Sequence, residues 1–409
     1  MLRMVVYTYY SNPWKLESGD DERIHKILTS IAEAGIKVVT FNLNTRAKGY
    51  SILHTDGVVY VNLPRKFYYF ISEIVKWRNH YDLNPLMKIT HYIDELLVAI
   101  KLRRDLAKAP VVMVFGSMSL FLFIIHLLGV KNIVKIYDPL ANYAQTLYLR
   151  SRKSLIELLR YGLYLALHKF QIRSSDIVVY PSEMDLNSAK RMFKINKALV
   201  VPNPLPICYE SIEEYLALRA QRRDFSIPYF VLLAGGRGKT NKEAVKTTIE
   251  VFNDLPPSRF KLFITGPWND MRRFANNSSI EILGVIPHEK LKELLAIADY
   301  GLVPVFNHTA GTFLKTFAYL AAGLDVVTSL YGVQGVPLSL FRDRCVLLVR
   351  DPREYKEIIR VLVLSPVRAL DSHEVTLCSQ AREKLKHSMI NLLSFTTKVL
   401  TLIYQFRLA

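Results

Sequence analysis

Cysteine is scarce in this chain. There are three in 409 residues, Cys208, Cys345 and Cys378, widely separated. No CxxC and no Cys/His metal spacing occurs. The odd count argues against a disulfide framework, and a reducing interior is the simplest compartment. Long apolar runs are missing as well. The longest, residues 118–128, contains His126 and is too short to span a bilayer. The opening MLRMVVYTYY lacks a signal-peptide layout and reads as a first strand. No low-complexity tract and no repeat of solenoid period is found. A convincing Asp-x-Asp metal motif is also lacking. Asp20-Asp21 is an acidic pair near a loop, and it suits the start of the helix that follows, where negative charge favours the dipole. Acidic residues are outnumbered, 36 Asp+Glu against 54 Lys+Arg, for a formal net charge of +18. Such an excess fits nucleic acid, an anionic membrane or a polyanionic substrate, or is simply a solvated basic surface. No recognised nucleic-acid module appears, so no nucleic-acid partner is expected.

What is present is a globular core and a regular alternation. Half of the residues are apolar and 11% are aromatic, which excludes a disordered chain. The length suffices for two domains, each with its own core. Strands are expected over 4–9, 37–41, 111–115, 133–137, 176–180 and 198–201, with helices over 22–34, 118–128 and 147–173 between them. Residues 201–206, VPNPLP, place three prolines in five positions, which blocks both helix and central strand. A linker helix over 209–221 follows. A second alternation then has strands over 229–234, 261–265, 280–283, 300–305, 325–329 and 345–349. Its helices are expected over 241–253, 288–298 and 312–322, another begins at Pro352, and two more close the chain. Strand–helix alternation at this spacing calls for parallel sheets covered on both faces, which bind ligands at the carboxyl ends of their strands. The loop before Thr312 lies at such an end. It carries Gly311, a helix start and Lys315 one turn in, a combination suited to a phosphate.

These pieces in this order resemble the GT-B glycosyltransferases, and within them the retaining family of the mannosyltransferase type (glycosyl transferases group 1). The matching segments are DIVVYPSE (176–183), VPNPLP, LLAGGRGKTNKEAV (232–245), FITGP (263–267), ILGVIPHEKLKELLAIAD (282–299) and GTFLKTFAYLAAGLDVVTS (311–329). The resemblance implies an α/β fold of two doubly wound Rossmann-like domains facing across a cleft. The domains expected are an acceptor-binding domain over 1–203, a nucleotide-sugar-binding domain over 204–385, and a C-terminal helix over 386–409 that crosses back to the first. It implies a hexosyltransferase that moves a sugar from a nucleotide-sugar donor to a glycan or lipid-linked acceptor. Retention of configuration is implied, with no bound metal and no cofactor beyond the donor, which is a substrate. The alternative is a catalytically inactive GT-B-like subunit that binds a membrane or a partner transferase.

Without a metal, cationic side chains and helix N-termini must stabilise the departing diphosphate. Arg237 follows the Gly235-Gly236 strand end, where a guanidinium fork matches phosphate oxygens. Lys242 lies in the first turn of the next helix and matches the second member of the family's basic pair. Lys239 competes with it for that role. Gly311, Thr312 and Lys315 form the other half of the clamp. Gly236 and Gly266 are turns at strand ends, His308 sits in the donor loop, and Val285-Ile286 matches the family's base-binding turn. Gly19 approaches the diphosphate from the first domain in relatives. Asp138, at a strand end in KIYDPLANYA, either orients a sugar hydroxyl or forms an Asx turn ahead of Pro139. Each of these positions also has a plain reading as a turn, a helix start or a solvated base. One departure stands out. Many members carry two glutamates eight positions apart, the later one on the nucleotide ribose, and this chain has Ala310 and Ala318 there.

Residues 65–78 (RKFYYFISEIVKWR) and 147–173 mix basic with apolar and aromatic residues. That mixture suits a membrane interface, and equally suits ordinary amphipathic helices packed on a sheet. The expected location is cytoplasmic, with these segments offering peripheral contact with an anionic inner membrane face.

Overall fold

The computed structural model describes residues 3–9, 19–44, 50–64, 85–116, 119–131, 133–140, 155–203, 207–236, 238–307, 313–336 and 346–365, together with 377 and 380. The chain divides into two compact units, with the break between Pro202 and Asn203. The C-terminal helix expected over 386–409 lies outside the described residues, as does the aromatic segment 65–78.

The first unit is built on an eight-stranded sheet. Its strands are β1 (Arg3–Tyr9), β2 (Lys37–Asn44), β3 (Ser51–Thr55), β4 (Val58–Pro64), β5 (Val111–Phe115), β6 (Val134–Asp138), β7 (Ile177–Tyr180) and β8 (Ala198–Val200). They run in the order β3-β4-β2-β1-β5-β6-β7-β8. Every pairing is parallel except β3 with β4. Parallel strands are buried on both faces, which explains runs such as VVMVF at β5 with no polar alternation. Helix α1 (Gly19–Glu33) covers one face with Ile24, Ile27, Leu28 and Ile31. Helices α2 (Pro85–Leu106), α3 (Phe121–Leu127), α4 (Leu155–Ser174) and α5 (Glu183–Met192) bury apolar residues on the other.

The second unit has the all-parallel order β11-β10-β9-β12-β13-β14. The strands are β9 (Tyr229–Leu233), β10 (Lys261–Thr265), β11 (Ile280–Gly284), β12 (Tyr300–Val303), β13 (Asp325–Ser329) and β14 (Val346–Val349). Numbered within the unit this is 3-2-1-4-5-6, the doubly wound order whose direction reverses between the first and fourth strands. Helices α7 (Lys239–Asn253) and α10 (Pro352–Leu364) share a core with Phe230 and Leu232 on one face of β9. Helices α6 (Ile212–Arg219), α8 (His288–Ile297) and α9 (Leu314–Ala321) share the opposite core with Val231 and Leu233. Since α7 follows β9 and α9 follows β12 on opposite faces, the carboxyl ends of these two strands are the switch point, where an open sheet of this order has its ligand crevice.

Buried charge fastens the other end of that sheet. Asp299, just before β12, accepts from Arg219 (2.9 Å) and Arg222 (2.6 Å) and from the Tyr229 backbone (2.8 Å). Cys208 is disulfide-bonded, with its partner outside the described residues. This corrects the reading of the odd count as an argument against disulfides: three cysteines still allow one pair, and long sequence separation says nothing about distance in the fold.

Candidate functional site

At the switch point of the second unit the β9–β12 ladder is short. Its pairs are Tyr300 with Phe230 and Gly301 with Val231, after which the strands part. The Tyr319 hydroxyl of α9 fills the gap. It accepts from the Leu233 N–H (2.7 Å) and donates to the Leu302 carbonyl (3.4 Å). The ring lies so close to β12 that a Cβ on Gly301 would stand 2.2 Å from it. The parted strand ends are therefore held open by a fixed side chain.

Past β9 the chain runs through Gly235 and Gly236 to Gly238, which precedes α7. Helix α7 begins with no side-chain cap and no acidic residue in its first turn. It begins instead with Lys239, and Lys242 lies one turn in. Helix α9 is built alike: no side-chain cap, no acid in the first turn, and Lys315 at its second position. Cations at a helix N-terminus oppose the dipole, and the uncapped N–H groups add to the positive potential. Two such ends at one switch point form a setting for an anion.

A polar relay joins them. Lys315 Nζ donates to Asn241 Oδ1 (2.9 Å), and Asn241 Nδ2 donates to the Gly236 carbonyl (2.9 Å). The lysine also lies 5.8 Å from the centre of the Phe313 ring. Desolvation pulls its ammonium down to about 8 from an ordinary 10.5. A part-buried cation with no carboxylate partner among the described residues is electrostatically unsatisfied, and a bound phosphate would relieve it. Glu243, one residue beyond Lys242, accepts from Asn307 Nδ2 (3.0 Å) on the chain after β12 and faces Lys239 Nζ at 3.7 Å. Lys239 is thus partly neutralised. Among the described residues Lys242 is exposed and has no ion-pair partner.

The structure sorts the other expected site residues. Arg237, His308, Gly311 and Thr312 lie outside the described residues. Gly236 is exposed at the crevice. Gly266 is buried at the end of β10 with φ +111°, and a Cβ there would meet the Ala234 carbonyl at 2.0 Å. Its immediate task is close packing of two strand ends, reinforced by Trp268 Nε1 donating to the same carbonyl (2.6 Å). Val285 is 76% exposed, while Ile286 packs on the α8–α9 core. This pair sits at the end of β11, with β10 between it and β9. Ala318, where relatives place a glutamate, is 2% exposed inside that same core.

Two expected residues belong to the first unit. Gly19 is the first residue of α1, whose opening turn carries Asp20 and Asp21, a start unlike the cationic ones of α7 and α9. Asp138 ends β6 as expected, but its carboxylate is fully buried and both oxygens are engaged. Oδ2 pairs with Arg23 Nη2 (2.7 Å) and Oδ1 accepts from the Leu140 N–H (2.7 Å). The second contact is the Asx turn that the sequence offered as the plain alternative. Arg23 also donates to the Val201 carbonyl (2.9 Å), so the pair ties β6 to the chain leaving β8.

Sequence reasoning missed Asn241, Glu243 and Tyr319. Glu243 left a trace in its i,i+4 spacing from Lys239. Asn241 and Tyr319 act across 74 and 86 residues of sequence, and one chain read alone carries no signal of such partners. Among the described residues no three His, Cys, Asp or Glu side chains group as a metal ion requires.

No family model and no curated protein matches this sequence. Solved structures do match in shape. Sucrose-phosphate synthase from Thermosynechococcus elongatus superposes with a TM-score of 0.68 at 15% identity, covering 99% of each chain. A UDP-forming trehalose-phosphate synthase from Burkholderia xenovorans in complex with glucose-6-phosphate gives 0.65 at 12% identity, covering 97% of this chain and 100% of that one. An E. coli trehalose-6-phosphate protein bound with UDP-2-fluoro glucose gives 0.62 at 13%, covering 96% and 98%. These neighbours are GT-B glycosyltransferases, and the likeness shows that this chain has their fold.

Proposed function

We propose that this protein is a glycosyltransferase that uses a nucleotide-sugar donor, with the donor's diphosphate seated at the crevice between β9 and β12. The observation that carries the reading is the Lys315–Asn241–Gly236 relay, which joins two uncapped, cationic helix starts at the switch point of a GT-B chain. Two of the similar structures support the substrate class: one is bound with a UDP-sugar analogue, the other with a sugar phosphate. Lys315 and Lys242 would neutralise the departing diphosphate, with Arg237, two residues before α7 in the sequence, as a third cation. N–H groups at the starts of α7 and α9 would donate to its oxygens. Charge that develops on the leaving group is then met by fixed donors, which lowers the barrier without a divalent ion. Glu243 is the crevice carboxylate available to ribose hydroxyls in place of the glutamate absent at Ala318. Retention of configuration, a glycan or lipid-linked acceptor and work at an anionic membrane face belong to the same proposal.

A second reading, a GT-B-like subunit without chemistry, draws on Ala318 lying in the core. Product analysis separates the two. The protein would be incubated with UDP-, GDP- and ADP-sugars, each with glucose 6-phosphate or a cell-envelope lipid fraction, with and without EDTA. Release of nucleoside diphosphate with a glycosylated product, unaffected by EDTA, is the expected result. Nucleotide binding without turnover for any pair would favour the inactive subunit.

A further inference from the structure

Helix α4 has more apolar surface than the sheet can use. Its inner side supplies Tyr164, Leu167, His168 and Ile172 to the interior. Its outer side carries Leu155 (72% exposed), Leu158, Leu159 (67%), Leu163 and Phe170. At 100° per residue these fall within one stripe, and Lys169 and Arg173 lie in the same arc near its C-terminal end. A helix apolar all round is normally covered all round. The surface continues onto the neighbouring helices. Phe170 stacks on Phe123 of α3 (4.9 Å), and Gln171 accepts from the Phe123 N–H (3.1 Å). Beyond them Leu127 of α3 is 68% exposed, and α2 exposes Leu96, Leu97 and Ile100 ahead of Arg103 and Arg104. Three helices on one side of the sheet thus present a shared apolar face.

Beside that face, between α4 and the end of α5, lies an open groove of about 760 Å³. Leu165, Phe170, Met192 and Phe193 supply its apolar wall, and Lys169, Arg173 and Lys194 are its cations; among the described residues no acidic one lines it. Apolar floor with cationic rim is the complement of an anionic amphiphile. No helix among the described residues is long and apolar enough to cross a membrane, so the complement is met by lying on one.

We propose that the outer face of α4, with the Lys169–Arg173–Lys194 groove, is a docking surface for an anionic phospholipid bilayer: the leucine stripe enters the interface and the groove takes a phosphate headgroup. This deepens the lipid-linked acceptor reading and rests on it for its biological purpose. The binding measurement contains no nucleotide or acceptor, so the two can fail separately.

The test is co-sedimentation of the full chain with vesicles of phosphatidylcholine alone and of equimolar phosphatidylcholine and phosphatidylglycerol. Association with the anionic vesicles only, weakening as salt is raised, is expected. The Leu159→Glu/Leu163→Glu and Lys169→Glu/Arg173→Glu pairs should each lose about tenfold or more in vesicle affinity. Circular dichroism melts should match the wild type, because these side chains face solvent. Leu364→Glu, an exposed position in the second unit, should bind as wild type does. The proposal is overturned if the chain binds neither vesicle, if both pairs bind like wild type, or if Leu364→Glu is equally impaired. It is also overturned if sedimentation equilibrium shows a dimer that the pairs dissolve while lipid stays unbound, which would give this face to a second copy.

Discussion

Among the described residues Lys315 is held by a hydrogen bond to the neutral amide of Asn241 and by an aromatic neighbour, in surroundings that disfavour its charge. Linkage gives this a sign. The group titrates near 8 when folded and near 10.5 when unfolded. Between those values the unfolded chain binds the extra proton, so stability contributed at this site rises with pH across the window and is lowest below 8. Lys315→Gln should flatten that rise, as measured by urea unfolding at pH 7.5 and pH 10 (conditions about half a unit or so outside and inside the window); an unchanged slope would mean that the lysine is well solvated. Asp138 poses a separate question at this scale. Breaking a buried ion pair strands the partner, so Asp138→Ala should cost about 3–5 kcal/mol of stability. The double variant Arg23→Met/Asp138→Leu removes both charges and should recover most of that loss. A double variant that is stable and turns over donor would mark Asp138 as structural; one that is stable and inactive would restore the acceptor role.

At the scale of elements, the Tyr319 bridge sets the shape of the crevice. Tyr319→Phe leaves the Leu233 N–H buried without its acceptor, at a cost of about 1–3 kcal/mol. Hydrogen exchange should report it as faster exchange at Leu233 with little change in β13; uniform loss of protection through the sheet would contradict a local role. Elements of this kind divide what the sequence could tell from what it could not. Strands Lys261–Thr265 and Asp325–Ser329 run as read, because apolar residues there stop at glycine or polar turns. Helix α3 is shorter than its apolar run, beginning at Phe121. The β3–β4 hairpin went unread, although Asp56-Gly57 signalled it. Both residues have positive φ (50° and 74°), the paired left-handed turn that this dipeptide favours. For the site, glycines at strand ends and lysines at helix starts stood out in the sequence as candidates for phosphate binding. The Asn241 relay and the contact of Asn307 with Glu243 did not, since each depends on two elements meeting in space, whereas the Lys239–Glu243 pair lies within α7.

For the whole molecule, a charge of +18 and a two-unit α/β chain are compatible with many activities; the solved structures narrow the fold and leave the chemistry to the site. The Cys208 disulfide adds a global tether in the second unit. Cys208→Ser should lower stability by about 2–4 kcal/mol, and excess dithiothreitol should bring the wild type to the same urea midpoint. A wild-type midpoint that ignores reductant would mean that the bond contributes nothing to stability. Binding a ligand at the crevice must likewise stabilise the native state, by about 2.7 kcal/mol at a concentration of one hundred times Kd. The most direct measurement is calorimetric titration of UDP, GDP and ADP, and of their sugars, into the wild type and Lys315→Gln. At least one nucleotide should bind the wild type, about ten- to hundredfold more weakly the variant, in keeping with loss of one charged hydrogen bond, and more weakly to the wild type once the pH passes about 8. Absence of binding by every nucleotide, or binding indifferent both to Lys315 and to pH, would contradict a phosphate site between the ends of β9 and β12.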